Sequence, residues 1–283
     1  MKTALIIILV LAAVIVAGGS YYYFEVYEPE KYANGILSLY QNLESAGLQP
    51  DTSLLKDATD YASALQVLQE RINLLKTTQN ELPQIKVPKR MVNFQKEFSS
   101  YLDFTLSQHE SAETLGTFLK NASELNKAVK EVYGSRIQEK GIATIGDLQK
   151  FWGERIPKVK TASEEFVRKE IQGTEPSFSE LKSLWEEAAP AFAFVLQKVN
   201  KVNPRLQISQ AGNIWTQAEQ KQLNAYTKKL DEFATKIEDL LKKYTAYDLL
   251  AFRYFPDVSE QESSERALKF YQSIQKLKEQ YGR

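Results

Sequence analysis

Residues 58–75 read ATDYASALQVLQERINLL. Apolar side chains recur in this stretch at alternating intervals of three and four residues, at Ala58, Tyr61, Leu65, Leu68, Ile72 and Leu75. Side chains with this spacing lie along one stripe of an α-helix and form the seam through which helices pack in coiled coils and bundles. The stretch therefore predicts a helix that runs to about residue 80 and buries one face against another helix.

A seam of this kind packs either against a helix of its own chain or against a second copy. Pro83 and Pro88 bound a short link, and the helix that follows carries Phe94, Phe98 and Tyr101 at complementary spacing. A neighbouring segment of the same chain has an effective concentration on the order of mM, far above that of a second molecule. We therefore predict that the seam is satisfied within the chain and that the part outside the membrane is monomeric.

The same helical periodicity extends over most of the remaining chain. Further helices are expected near residues 29–46, 88–133 and 144–172, and three more open at the capping boxes Ser177-x-x-Glu180, Thr216-x-x-Glu219 and Ser259-x-x-Glu262. Glycine and proline are scarce, and no convincing alternating strand pattern occurs. These features predict an all-α fold, namely a single transmembrane helix followed by an antiparallel bundle of about seven long helices.

Breaks in the pattern suggest how the chain is divided. Residues 134–143 connect a first helical half, residues 25–133, to a second half, residues 144–283, that packs with it. Gly116 marks a place where the long third helix can kink, and Pro190 predicts a kink in the second half.

The first two dozen residues are of a different kind. Every side chain from Ala4 to Ala17 is apolar, and Lys2 is the only charge before Glu25. A helix over residues 4–24 would span about 31 Å, which matches the hydrocarbon core of a bilayer. The expected anchor residues are Leu5, Ile6, Ile7, Ile8, Leu9, Val10, Leu11, Val14, Ile15 and Val16, and the expected interfacial belt is Tyr21, Tyr22, Tyr23 and Phe24.

Two interpretations of this segment remain open. As an uncleaved signal anchor, residues 1–24 leave the amino terminus in the cytoplasm and the bulk of the chain outside the cell membrane. As a signal peptide, the segment is cleaved near Ser20, after the small residues at 17–19, and the remainder is secreted or periplasmic. The tyrosine run favours the anchor, and the lipid bilayer is then one partner of the chain.

Composition excludes several classes of function. The chain has 36 basic and 36 acidic residues, so its net charge provides no attraction to nucleic acid. It has no cysteine, which excludes disulfides, thiolate metal sites and a cysteine nucleophile. His109 is the only histidine, and we expect it to be exposed or half-packed. No phosphate-binding loop or catalytic constellation appears, so we predict no enzymatic activity and no cofactor.

One aromatic stretch, residues 244–255, has apolar side chains on all sides of the predicted helix. It is either a buried helix end or an exposed contact surface for a protein partner. Burial is the favoured interpretation, and the candidate contact residues of the alternative are Tyr247, Leu250, Phe252, Tyr254 and Phe255.

The features together predict a membrane-anchored extracytoplasmic bundle of the cell envelope that acts through contacts with an unknown protein partner. The alternative is a sensor-type or carrier bundle that binds a small hydrophobic molecule between its helices. An internal pocket lined by aromatic residues would favour the alternative.

Overall fold

The computed structural model describes residues 16–45, 53–133, 141–168, 176–210, 214–251 and 260–281. These residues form a helical bundle without a named strand, and an isolated antiparallel bridge between Thr144 and Gln207 is the only β-pairing found among them. The predicted all-α class is therefore confirmed.

The helices are numbered in chain order from the first buried one. Their bounds are Glu28–Ser45 (α1), Tyr61–Glu81 (α2), Val92–Tyr133 (α3), Ile145–Arg168 (α4), Pro176–Ala188 (α5), Pro190–Val199 (α6), Gln217–Lys243 (α7), Ala246–Leu250 (α8) and Glu260–Tyr281 (α9). Two short 3₁₀ turns, Leu82–Gln84 and Lys89–Met91, lie in the link between α2 and α3.

The described residues separate into two compact units. Unit 1 takes its residues from 1–53, 66–113 and 250–283, and unit 2 from 54–65 and 114–249. The units are composed of interleaved segments, and the division of the chain into two halves at residues 134–143 stays a prediction.

The core of unit 1 is built from helices distant in sequence. Tyr32, Ile36 and Leu43 of α1 are almost fully buried, as are Phe98 of α3 and Ile274 of α9. The side chains on α1 recur at intervals of three and four residues, so the helix offers the unit one continuous apolar stripe. The first and last helices therefore share one core.

The core of unit 2 is mainly aromatic. The ring of Phe118 packs 5.2 Å from that of Phe166 and 4.8 Å from that of Phe178, measured between centroids. Trp185 lies 4.9 Å from Phe233, and its indole N–H donates a 2.7 Å hydrogen bond to Ser163 Oγ. Large aromatic side chains bury much area each, so a few of them suffice to fix the packing of four helices.

The seam of α2 occurs as predicted, with one correction at its start. Tyr61, Leu68, Ile72 and Leu75 are buried and Leu65 is half-buried. Ala58 lies before the first turn of α2, where its carbonyl accepts a hydrogen bond from the backbone N–H of Ala246. The helix begins three residues later than the periodicity suggested, because a turn containing Asp57 and Asp60 precedes it.

Helix α3 runs for 42 residues, as the periodicity over residues 88–133 predicted, and is not broken at Gly116. A methyl group at Gly116 would lie 3.0 Å from Leu249 Cδ1 and 3.1 Å from Leu65 Cδ2. The glycine therefore allows two leucine side chains to approach the helix backbone closely.

The predicted caps and proline breaks have different outcomes. The capping box of Thr216 and Glu219 opens α7 as expected. At Pro190 the helix is interrupted and not merely bent, so α5 ends at Ala188 and α6 begins at the proline. Ser177 already lies inside α5, so it does not precede the first turn as predicted. Ser259 lies outside the described residues.

The fully buried position of Leu68 predicts the cost of truncating it. Leu68→Ala should lower the free energy of unfolding by about 2–5 kcal/mol, because it removes buried methyl groups and leaves a cavity. The measurement is urea denaturation of the full chain in mild detergent, followed by circular dichroism.

Asn73→Ala on the exposed face of the same helix is the matched control and should change the free energy by less than about 0.5 kcal/mol. If Leu68→Ala left stability unchanged but shifted a dimer to monomer on a sizing column, the seam would instead belong to an intermolecular contact.

Candidate functional site: the exposed amino-terminal helix

The first described segment, residues 16–27, is a helix that leaves the packed body of the protein. Residues 16–22 are α-helical, Tyr23–Tyr27 form a π-helical turn, and α1 follows directly. Every residue from 16 to 27 is exposed, whereas Pro29 and Tyr32 are buried. The chain is therefore helical without interruption from residue 16 to residue 45. We call residues 16–27 the exposed amino-terminal helix.

Its exposed surface is aromatic. The expected belt residues Tyr21, Tyr22, Tyr23 and Phe24 have exposed fractions of 68%, 59%, 45% and 57%. Tyr23 contacts Phe24 and Tyr27 at centroid distances of 5.2 and 5.6 Å. These rings contact one another along the helix and present a contiguous apolar surface, which marks an interaction site on a protein.

The base of this helix is held by charged residues of the link between α2 and α3. Arg90 Nη1 lies 2.8 Å from Glu25 Oε2, and Arg90 Nη2 also donates to the backbone carbonyl of Glu25. Lys86 Nζ lies 2.6 Å from Glu28 Oε1, and the Glu28 carboxylate raises the pKa of Lys86. Individual surface ion pairs contribute little, but these contacts span the π-helical turn and define the direction in which the helix leaves unit 1.

The link itself packs closely on α1. A methyl group at Gly35 would approach Ile85 Cδ1 to 3.2 Å, so the absence of a side chain lets the link lie against the helix. Leu82 and Met91, at the two ends of the link, are buried in the core of unit 1. The ion-pairing residues Lys86 and Arg90 are thus carried by a well-anchored segment.

The greater part of the predicted anchor, residues 5–15, lies outside the described residues. Val16 is described and is 66% exposed. Within the part of the chain that the structure describes, no helix combines the length and the apolar character needed to cross a bilayer.

The predicted contact patch near residue 250 is only partly described. Leu250 is fully buried, in agreement with the favoured interpretation of that stretch as a buried helix end. Tyr247 remains 36% exposed. Phe252, Tyr254 and Phe255 lie outside the described residues.

A second apolar surface, which the sequence analysis missed, lies on α9. Leu268 and Tyr271 are 58% and 48% exposed and are separated by three residues, so they share one face of the helix. We call these two residues the α9 outer face. The sequence alone could have revealed this surface. Leu268 and Tyr271 are apolar residues that fall outside the helical stripe of Phe270, Ile274 and Leu277, which is buried.

A groove of about 370 Å³ lies between α3 and α9. Its wall contains three basic side chains and one acidic side chain, together with a serine and two aromatic rings: Lys96, Glu97, Ser100, Tyr101, Arg266, Lys269 and Phe270. The excess of positive charge in this groove suits a partner segment that carries acidic side chains. The α9 outer face lies on the opposite side of the helix, because Leu268 and Tyr271 are about half a turn away from Arg266 and Lys269.

His109 is buried, contrary to the expectation that it would be exposed or half-packed. It is 2% exposed, and its Nδ1 lies 2.8 Å from the carbonyl oxygen of Thr105, which can only accept a hydrogen bond. Burial, with a smaller contribution from the nearby charge of Arg71, lowers the pKa of His109 to about 4. The imidazole is therefore neutral at pH 7 and acts as a structural group within unit 1.

Metal chemistry finds no support in the described residues, because no three histidine, aspartate or glutamate side chains lie close enough there to hold an ion. Comparisons of the chain with protein-family models, with curated proteins and with solved structures gave no match. The function is therefore inferred from the contacts, burial and charges of the chain.

The lowered pKa of His109 predicts a dependence of stability on pH. The unfolded chain binds a proton at the ordinary value of 6.5, whereas the folded chain does so only near pH 4. The free energy of unfolding should therefore be unaffected by His109 above pH 6.5 and should fall by up to about 3 kcal/mol as the pH drops to 4. Urea denaturation at several pH values measures this dependence.

His109→Leu is the comparison variant, since carboxylates that titrate near pH 4 contribute equally to both proteins. The difference in stability between wild type and variant should change over the interval from pH 6.5 to 4. Two parallel curves over this interval would show that His109 is not the group responsible.

Proposed function

We propose that the chain is a single-pass, membrane-anchored helical bundle that acts outside the cytoplasm through contacts with another protein. In this proposal the amino terminus is cytoplasmic, residues 4–24 cross the bilayer, and units 1 and 2 lie on the outer side. The chain binds its partner and catalyses no reaction.

The observation that carries the proposal is the exposed amino-terminal helix. An exposed aromatic helix is costly in water, but its amphipathic rings are favoured at the interface between lipid headgroups and water. The segment that precedes it in the sequence, residues 4–15, is entirely apolar. The belt therefore directly follows the apolar run in the sequence, in the order that an anchor requires.

The balance of charge supports the same orientation. Lys2 and the free amino group stand at one end of the apolar run, and Glu25, Glu28 and Glu30 follow the other end. Positive charge is retained on the cytoplasmic side of single-pass proteins, so this asymmetry favours export of the larger part. Glu25 and Glu28 also form ion pairs with Arg90 and Lys86 in the link between α2 and α3. These ion pairs partly offset the free-energy cost of desolvating the two carboxylates near a membrane surface.

The absence of cysteine from the chain makes its topology directly measurable. Two single-cysteine variants report the location of the two ends of the proposed topology. Thr3→Cys lies before the apolar run, and Lys160→Cys lies on α4, where the side chain of Lys160 is 79% exposed. In spheroplasts, a membrane-impermeant maleimide should label Lys160→Cys at once and Thr3→Cys only after lysis. Labelling of Lys160→Cys only after lysis would contradict the proposal.

The intact mass of the same protein, purified from membranes, distinguishes the anchor from a signal peptide. An anchor retains residues 1–19, whereas cleavage near Ser20 removes them. A shortened chain recovered from the soluble fraction would favour the secreted form.

The basic groove between α3 and α9 and, on the opposite side of α9, the α9 outer face are the two surfaces on which we expect a partner to bind. Charged grooves and exposed apolar residues are each typical of sites that bind another protein. The groove is open and contains four charged side chains, so it resembles a surface for a peptide segment more than an enclosed site for a small molecule.

Site-specific photo-cross-linking tests this assignment in membranes. A benzophenone amino acid in place of Leu268 should give one discrete adduct, whereas the same amino acid in place of the exposed Lys221 on α7 should not. For the groove, the same amino acid in place of the exposed Ser100 should give an adduct that Arg266→Glu together with Lys269→Glu weakens, because both changes reverse the charge of the groove. Equal adduct patterns from positions 268 and 221 would rule out the α9 outer face.

A further inference from the structure

The link between α2 and α3, residues 82–91, carries three cationic side chains and no acidic one. The cations are Lys86, Lys89 and Arg90, and all three are exposed. The first and last residues of the link are buried, and so is the proline before Lys89. The backbone that carries the cations is therefore held on unit 1 while the cations themselves are accessible.

Two of these cations reach the base of the exposed amino-terminal helix. Arg90 Nη2 donates to the backbone carbonyl of Glu25, the residue that directly follows the belt. Lys86 Nζ lies 2.6 Å from Glu28 Oε1, and the belt residue Tyr23 contributes, after Glu28, to the raised pKa of the lysine. The link therefore passes the last belt residues at nearly the same level along the helix.

In the proposed topology this level lies within the headgroup layer of the bilayer. The polar layer on each side of the hydrocarbon core is about 5–8 Å thick, and amphipathic rings such as those of the belt reside in it. Glu25 and Glu28 follow Phe24 by one and four residues, which is about 2–6 Å along a helix. The cations that pair with these carboxylates are then at the depth of the lipid phosphates. This step rests on the proposed function, because it requires the anchor.

Two of the cations are balanced by carboxylates and the third is not. Arg90 pairs with Glu25, and Lys86 pairs with Glu28, so neither carboxylate faces the lipid phosphates as an isolated negative charge. Lys89 forms no ion pair with the residues that the structure describes. A guanidinium has five N–H donors, of which Arg90 uses two on Glu25. Lys89 and Arg90 therefore offer an unbalanced charge and further donors at adjacent positions.

We propose that Lys89 and Arg90 bind the phosphate group of an anionic phospholipid in the outer leaflet of the bilayer that holds the anchor. Residues 25–31 and the link together carry four cationic and three acidic side chains, so the surface has one positive charge in excess. One such charge at a membrane surface enriches an anionic lipid over a zwitterionic one about fivefold. The contact would seat unit 1 directly on the membrane surface.

Helix α3 provides the positions for a depth measurement, because it runs alongside α1 away from the belt. Tyr32 Oη donates a 2.9 Å hydrogen bond to Gln95 Oε1 near the start of both helices. Farther along the two helices, Tyr40 and Tyr101 both contact the ring of Phe270. The first turn of α3 is therefore near the belt, and its later turns are progressively farther away.

The first measurement is depth, in the full chain in nanodiscs, with one cysteine introduced per variant. A dye on Asn93→Cys, an exposed site in the first turn of α3, should be quenched strongly by a lipid with a nitroxide on its headgroup. The matched control is Ser107→Cys, which is exposed and about four turns farther along α3, and its dye should be quenched little. Both substitutions leave the cations of the link in place.

The second measurement is lipid preference, read from the same dye on Asn93→Cys. Nitroxide-labelled phosphatidylglycerol should associate with the link about five times more strongly than nitroxide-labelled phosphatidylcholine. Lys89→Gln should bring this ratio close to one. Lys76→Gln removes the same charge from an exposed site that pairs with Glu110, late in α3, and should leave the ratio unchanged. Inorganic phosphate at about 10 mM should also leave it unchanged, because the site is proposed for a lipid.

A dye on Val10→Cys, within the apolar run, separates failure of this inference from failure of the proposed function. Quenching of the Val10 dye by a nitroxide deep in the acyl chains, without quenching of the Asn93 dye by the headgroup nitroxide, would leave the anchor intact and overturn the inference. Quenching of neither dye would overturn both. A ratio of one, a ratio that Lys89→Gln does not lower, or a ratio abolished by inorganic phosphate would each overturn the assignment of an anionic lipid to Lys89 and Arg90.

Discussion

The stacking of Phe270 on two rings of α3 is the contact on which unit 1 depends. Its ring lies 4.0 Å from that of Tyr101 with an interplanar angle of 11°, and 5.0 Å from that of Phe98. Tyr40 of α1 contacts the same ring at 6.1 Å. A single buried side chain of α9 therefore joins α1 to the amino-terminal part of α3, the longest helix. Ile274 and Leu277 of α9 belong to the same core cluster.

This arrangement gives the exposed amino-terminal helix a rigid base. Helix α1 is buried along one face in the core of unit 1, and the link between α2 and α3 is ion-paired to Glu25 and Glu28 where burial ends. The transition from exposed to buried occurs within one continuous helical segment, directly after the π-helical residues Tyr23–Tyr27, where Glu28 is half-buried and Pro29 is buried. Because the backbone is helical without interruption from residue 16 to residue 45, the packing of α1 fixes the direction of the exposed amino-terminal helix and its aromatic rings.

Periodicity in the sequence predicted the helices well but not their partners. The seam of α2 and the length of α3 followed from the spacing of residues such as Leu68 and Phe98, because local geometry alone determines which side chains share a stripe. The pairing of α1 with α9 depends on the shape of Phe270 and its neighbours, which no spacing reveals. Burial of His109 was missed because a lone polar residue within a stripe has no distinctive pattern.

The interleaving of the two units has a consequence for the order in which the chain matures. Residues 114–249, which supply most of unit 2, are synthesised between α1 and α9. At roughly 5–20 residues per second, the ribosome needs on the order of ten seconds to make them. During that interval the apolar stripe of α1 has emerged but Phe270 does not yet exist, so unit 2 can reach its native packing first while unit 1 waits. Until α9 is made, the apolar stripe of α1 lacks part of its native cover, so loss of α9 would leave that part of the stripe open to aggregation.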